Sequence, residues 1–319
     1  MQRYLLRRLL IAVPVLLGIS IVLFAILALA PGDPLGELAL NPNIPPDVRL
    51  NLRKQFGLDD SLVIRYGRWM SSMVQGDWGY SFVSRVPVTR LIWQRLPTTL
   101  FVLGSAYGMA ILLALPVGIL SALKPYSLFD QLATTLMFMG YSLPTFFTGL
   151  LFLLLFSIYL HWLPFIYSAR IEATGLAWVI AHLRQAAMPI GVVGLVEAAS
   201  LTRFVRASLL EVLHHDFVTT ARAKGLSEWR IVLAHVLRNA LLPVVTVMAL
   251  QIPTMFTGAV ITEQIFRVPG IGSLLIASIE STDTPVVMAI AFVYALLVVI
   301  FTLIADLVYG LLDPRMTYS

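Results

Sequence analysis

Glu197, Glu263 and Asp306 stand inside long apolar runs, and an ionisable group at membrane depth is costly enough to be read as functional by default. Each lies within reach of a possible helix end. Glu197 is open to two readings, an internal salt bridge or helix contact on one side and the lining of a membrane path on the other. Asp306 is expected to pair near one membrane boundary, with Arg203 or Arg206. Other chemistry is missing. The 319 residues hold no cysteine, which excludes disulfides, zinc–thiolate sites and thiol catalysis. The five histidines are scattered, and no phosphate loop (G-x-x-x-x-G-K-S/T), H-E-x-x-H, G-x-S-x-G or dinucleotide turn occurs. Catalysis has no evident seat, and no metal or cofactor site is expected.

The second feature that calls for explanation is polar. Residues 216–243, DFVTTARAKGLSEWRIVLAHVLRNALLP, form a basic island between two apolar spans. Asp216 is placed to cap a short helix running to Lys224, with Arg222 and Lys224 in its last turn and Gly225 just beyond, where a left-handed residue is wanted. Ser227 then caps a second helix, in which Trp229, Val232, Leu233, Val236 and Leu237 share one face at i, i+3, i+4 spacing. The expectation is helix, glycine elbow, amphipathic helix.

The elements around these residues belong to an all-α integral membrane protein. Hydrophobic residues make up 59% of the chain and charged residues only 12%, against about 25% charged in soluble domains, and mean hydropathy is +0.87. The net charge of +5 comes from basic residues spread over loops, with no aromatic-interleaved patch, so membrane orientation explains it better than nucleic acid. Six spans are expected: Leu9–Ala30, Thr98–Leu123, Gln131–Tyr159, Ala186–Leu209, Ala240–Ile265 and Val286–Leu312. Ala28-Leu29-Ala30 imitates a cleavage site, but the run is longer than a signal-peptide core and reads as an uncleaved first helix. Three segments follow: 1–30, tail and first span; 31–97, an extracytoplasmic cap; 98–319, a five-span core carrying the polar loop. Residues 161–185 read as a second external loop, with Trp162, Tyr167 and Trp178 suited to an interfacial aromatic belt. Ser142-Leu143-Pro144 interrupts the third span and predicts a kink; Pro253 and Gly258 lie inside the fifth. Gly104, Gly108, Gly118, Gly191, Gly194 and Gly258 permit close helix approach in contact with lipid or neighbouring spans. Short segments assigned to the inside hold Arg3, Arg7, Arg8, Lys124, Arg203, Arg206, Arg222, Lys224, Arg230, Arg238 and Arg315; short outside loops hold Arg170, Arg184 and Arg267. That bias puts both termini in the cytoplasm.

Thr219-Thr220-Ala221-x-x-x-Gly225 resembles the "EAA" loop of permease subunits of bacterial ABC importers. Thr220–Gly225, TARAKG, with Arg238-Asn239-Ala240-Leu241-Leu242-Pro243 resembles the branch that imports dipeptides, oligopeptides, nickel and related solutes. The glutamate of the general motif is Thr219 here, and the Leu-Pro pair comes later, both favouring that branch over sugar or amino-acid permeases. Pro31-Gly32-Asp33-Pro34, Gly57-Leu58-Asp59 and Gly76-Asp77-Trp78-Gly79-Tyr80-Ser81 resemble the first of the two paired permeases, Asp283-Thr284-Pro285-Val286 resembles the family's external loop between the last two spans, and Asp313-Pro314-Arg315 resembles its closing motif.

The resemblance implies a bacterial inner-membrane subunit that pairs with a second, homologous permease. It also implies two ATPase subunits carrying ATP and Mg, and an extracytoplasmic substrate-binding protein. By the same implication the loop is a coupling helix lying in a groove of an ATPase, with Asp216, Thr219, Thr220, Ala221, Arg222, Ala223, Lys224, Gly225, Leu226 and Trp229 as its residues. Ser142, Pro144, Glu197, Pro253 and Glu263 are candidates for the path or its gate, Glu263 with a structural contact near an outer gate in view. Two other classes stay in play: an ion-coupled secondary transporter, which calls for internal repeats and matched broken helices, and a membrane-embedded enzyme. The substrate is open among dipeptide, oligopeptide, glutathione and nickel.

Overall fold

The computed structural model describes residues 2–29, 59–168 and 174–312, and within them there is no strand, only an isolated bridge between Tyr80 and Pro87. The Pro31–Pro34 and Gly57-Leu58 motifs, Arg170 and the closing Asp313-Pro314-Arg315 lie outside the described residues. Helix α1 spans Gln2–Leu29 and α2 spans Leu62–Val74. Helix α3 runs Val88–Leu123, α4 Leu128–Ser142 and α5 Thr145–Phe152, the last continuing as a π-helical stretch, Leu153–Tyr159. Helix α6 runs Gly175–Leu213, α7 Asp216–Ala223 and α8 Glu228–Ile231. After a π-helical turn, Val232–Val236, come α9 (Leu237–Ile265), α10 (Ile271–Glu280) and α11 (Thr284–Leu312).

Among the described residues, five stretches of helix are long and apolar enough to cross a membrane, and the bent pair α4–α5 makes a sixth if its halves count as one span. The interruption at Leu143-Pro144 is far sharper than a kink: the two halves differ in direction by 105°. Proline has no N–H to give the preceding turn and pushes the residue before it to extended backbone, and Leu143 has φ −83°, ψ 133°. Pro97, Pro116, Pro189, Pro243 and Pro253 lie inside α3, α6 and α9 without interrupting them.

Two expected boundaries move. Helix α3 begins at Val88 rather than Thr98, and α6 at Gly175, so the supposed loop 161–185 is helical in its second half. At about 1.5 Å per residue both are longer than a bilayer's apolar thickness and project beyond it. Tyr167, expected at the interface, is instead buried in the main apolar cluster with Val102, Val192, Met255 and Phe266. Trp178 stacks against His182 at 4.1 Å between ring centroids.

The core is the α3–α6 contact, with α9 beside it. Small residues set that approach: a Cβ added to Gly118 would sit 2.7 Å from Val205 Cβ, and one on Gly194 would run into Met109 and the Ala106 backbone. Gly104 and Gly108, the spaced pair of the sequence, face open space, as does Gly258. Asp306 does not meet Arg203 or Arg206. It pairs with Arg8 of α1 at 3.2 Å, because α1 packs along α11 and brings a basic residue from the far end of the sequence.

Candidate functional site

The polar island folds into a helix, a turn and a second helix, at the end of the bundle where α3 and α6 finish and α9 starts. Helix α7 ends in a Schellman pattern. Leu226 N–H donates to Ala221 O at 3.3 Å and Gly225 N–H to Arg222 O at 2.9 Å, with Gly225 at φ +74°. A side chain at that φ would be strained, so glycine is what allows the chain to turn there. Asp216 stands inside the first turn, where its charge favours the helix dipole, while His215 occupies the cap position; the expected Asp216 cap bond is absent. Ser227 holds the expected cap position of α8, but only its backbone oxygen is used, accepting from Ile231 N–H at 3.0 Å.

Only two α7 side chains point inward. Val218 and Ala221, one turn apart, belong to the same buried cluster as Leu209 and Val212 of α6 and Ile231, Val236 and Ala240 beyond the turn. Asp216, Phe217, Thr219, Thr220, Arg222, Ala223 and Lys224 are exposed, and Leu226 is half-buried. Thr220 Oγ1 donates back to Asp216 O at 2.9 Å. Arg222 Nε donates to Glu228 Oε1 at 2.7 Å and Nη2 to Oε2 at 3.2 Å, a bidentate pair bracing the turn. That hydrogen bond raises the already high guanidinium pKa.

The face of the second helix differs from expectation. Ile231, Val232 and Val236 are buried, whereas Trp229 is 60% and Leu233 51% exposed. The π-helical turn Val232–Val236 adds a residue to the repeat and rotates the face, which a strict 3.6-residue period cannot anticipate. Trp229 and Leu233 thereby join Phe217 as exposed apolar groups beside α7.

The path and gate candidates scatter. Ser142 and Pro144 sit together at the 105° break, Ser142 donating to Phe138 O at 2.8 Å. Glu197 is half-buried on α6 and, among the described residues, has no hydrogen-bond or ion-pair partner, so the salt bridge, one of the readings open to it, is not there. Pro253 is half-buried in an unbroken stretch of α9.

Glu263 is 1% exposed at the far end of α9 and both its oxygens are used. Oε1 accepts from Thr99 Oγ1 at 2.6 Å, and Oε2 from Ser273 N–H at 2.9 Å, in the first turn of α10. Thr99 Oγ1 in turn accepts from Ile271 N–H at 2.8 Å. The carboxylate occupies the space a Cβ on Gly270 would need. Glu263 is thus a cap for α10 supplied by another helix.

A second buried carboxylate escaped sequence reasoning. Asp283, 3% exposed, accepts from Ser81 Oγ at 2.5 Å and Phe82 N–H at 3.0 Å, fastening the 76–88 turn to the start of α11. Gly76–Ser81 and Asp283–Val286 were each visible as motifs, and nothing in the sequence pairs them. A third, Asp130, accepts two bonds of 2.7 Å from Arg206 and ties α4 to α6.

Residues 114–318 match the family described as binding-protein-dependent transport system inner membrane component. Residues 1–103 match its N-terminal counterpart, described as binding-prot-dependent transport system membrane comp, N-term. The chain belongs to this family of permeases. The permease is 40% identical to the oligopeptide transport system permease protein AppB of Bacillus subtilis (strain 168), over 100% of both chains. It is 35% identical to the dipeptide transport system permease protein DppB of Escherichia coli (strain K12), again over 100% of both. The same identity and coverage hold for the glutathione transport system permease protein GsiC of Salmonella paratyphi A. A chain of the MetNI methionine ABC transporter in an inward-facing crystal form superposes with a TM-score of 0.57 at 16% identity, covering 70% of the permease and 97% of that chain. A chain of an amino acid ABC transporter crystallised with histidines gives 0.52 at 16%, covering 69% and 94%. At such identity these two establish the fold, an ABC-transporter permease fold, and no more.

Proposed function

We propose that the permease is one of two paired membrane subunits of a bacterial importer for di- and oligopeptides. A homologous second permease completes the path, two ATPase subunits bind and hydrolyse ATP with Mg, and an extracytoplasmic binding protein delivers the substrate. The observation that carries this reading is α7, whose buried side chains are Val218 and Ala221 while the rest of its surface is presented outward. Such a helix transmits a push from a partner to α6 and α9, whose ends share its cluster. Asp216, Thr219, Thr220, Arg222, Ala223 and Lys224 face the ATPase, Trp229 adds an apolar anchor, and Gly225 and Leu226 set the turn. The loop end is then cytoplasmic, with both termini, in the inner membrane. Of the external cap, residues 31–58 lie outside the described residues, the described part holds α2 and the 76–88 turn, and its boundary with the core falls inside α3. Ser142, Pro144, Glu197 and Pro253 line the path, and Glu263 braces its outer end.

The test uses the assembled complex reconstituted in lipid. Gly225→Pro cannot adopt φ +74°, and Ala221→Asp puts a charge into the α7 anchor. Each is expected to lower binding-protein-stimulated ATP hydrolysis at least roughly tenfold, or to release the ATPase subunits in a pull-down, with the helical content of the permease unchanged. Unaltered assembly and hydrolysis in both variants would sink the coupling role of α7. Glutathione is a second substrate reading, favoured by the relative of that name. Competition for uptake between glutathione and a dipeptide decides between them.

A further inference from the structure

A groove of about 130 Å³ lies between α4 and α6, one turn beyond the Asp130–Arg206 pair. Met137, Phe138 and Tyr141 make one wall, and Thr202, Arg203 and Arg206 lie on the other. Its two arginines are in different states. Arg206 is committed to Asp130, whereas the Arg203 guanidinium lies 5.2 Å over the Tyr141 ring and, among the described residues, has no carboxylate partner. Thr202 is 4% exposed and lines the same groove, and its hydroxyl has no hydrogen-bond partner among the described residues. A buried hydroxyl left without a partner is rare enough to point to something that completes it. The groove opens beside a face of α4 on which Leu132, Leu136 and Met139 are exposed.

A cation resting on an aromatic ring, a buried hydroxyl without a partner on the adjoining residue and apolar walls leading away together fit an anion carried on a hydrocarbon body. No carboxylate lines the groove, so a peptide's ammonium finds no partner there. We propose that this groove binds an anionic phospholipid, its phosphate held by Arg203 and Thr202 and the upper part of an acyl chain lying along Met137 and Phe138. On the orientation proposed above, the groove is in the cytoplasmic half of the bilayer, the leaflet where basic pockets between spans take such headgroups. The bound lipid would wedge α4 against α6, and α6 leads directly into the α7 loop.

The permease assembled with its partner subunits is placed in nanodiscs, and retention of phosphatidylglycerol against phosphatidylcholine is read by native mass spectrometry. The unaltered complex is expected to favour the anionic lipid by roughly fivefold or more. Arg203→Gln brings the ratio close to one, Arg203→Lys keeps most of it, and Thr202→Val lowers it by a smaller factor. Thr202→Val removes only a hydroxyl that bonds to nothing described, so it tests the site even if an arginine variant assembles poorly. The proposal is overturned if the unaltered complex shows no preference, or if the preference survives both Arg203→Gln and Thr202→Val. It is equally overturned if added dipeptide displaces the lipid while Arg203→Gln abolishes that competition, which would make Arg203 a substrate contact. Lipid retention is read without transport, so its failure leaves the import reading standing.

Discussion

At the end of the bundle away from the polar loop, Glu263 and Asp283 are each almost fully buried, and each accepts hydrogen bonds from a distant part of the chain. At the loop end, α7 rests on the bundle through Val218 and Ala221, and its one ion pair, Arg222–Glu228, is exposed. Buried carboxylates satisfied by specific donors fix a geometry, because moving any partner strands a polar group away from water. Apolar contacts have no such directionality and tolerate sliding. The far end is therefore built to keep its arrangement, whereas α7 is the part able to shift, against a bundle that the buried Asp130–Arg206 pair still holds together at the loop end.

Substitutions sharpen that contrast. Asp283→Ala removes the acceptor of the buried Ser81 hydroxyl and of the Phe82 N–H, at a cost of about 3 kcal/mol. It should appear as the largest fall in thermal unfolding midpoint and as new protease cleavage within 76–88; an unmoved midpoint would show that the turn is held by its apolar contacts instead. Glu263→Gln keeps the shape, but its amide nitrogen has to face one of two donors, Thr99 Oγ1 or Ser273 N–H. A loss of about 2 kcal/mol is expected in the same measurement. Arg222→Ala and Glu228→Gln come last, with less than about 0.5 kcal/mol in stability, since exposed pairs contribute little. If either moved the unfolding midpoint as far as Asp283→Ala, the contrast between the two ends would be wrong.

Much of this architecture is legible in the sequence because membranes demand it. Apolar runs of span length marked the five helices long enough to cross and the bent α4–α5 pair, Gly225 marked the turn after α7, and Pro144 marked the interruption. What escaped has identifiable causes. Local patterning marks where a helix is apolar, not how far it projects from the bilayer, so α3 and α6 begin earlier than hydropathy suggests. A π-helical turn changes the period, which put Trp229 and Leu233 on the wrong face. Partners far apart in the chain carry no local signal: Ser81 finds Asp283 and Arg8 finds Asp306 only because the bundle brings α1 and the 76–88 turn against α11. The residues proposed for coupling stood out together because they are neighbours in sequence, whereas the path candidates are spread over α4, α6 and α9 and leave no such trace.

From Glu228 to Ile265 the backbone is helical without interruption, passing through the π-helical turn into α9. That is one rod roughly 55 Å long, with Trp229 exposed at one tip and Glu263 locked in place near the other. A rod pinned at one tip behaves as a lever. If a partner seats beside Trp229 as proposed, a small swing there would tilt the rod about Glu263, with the π-helical turn at Val232–Val236 as the joint between them.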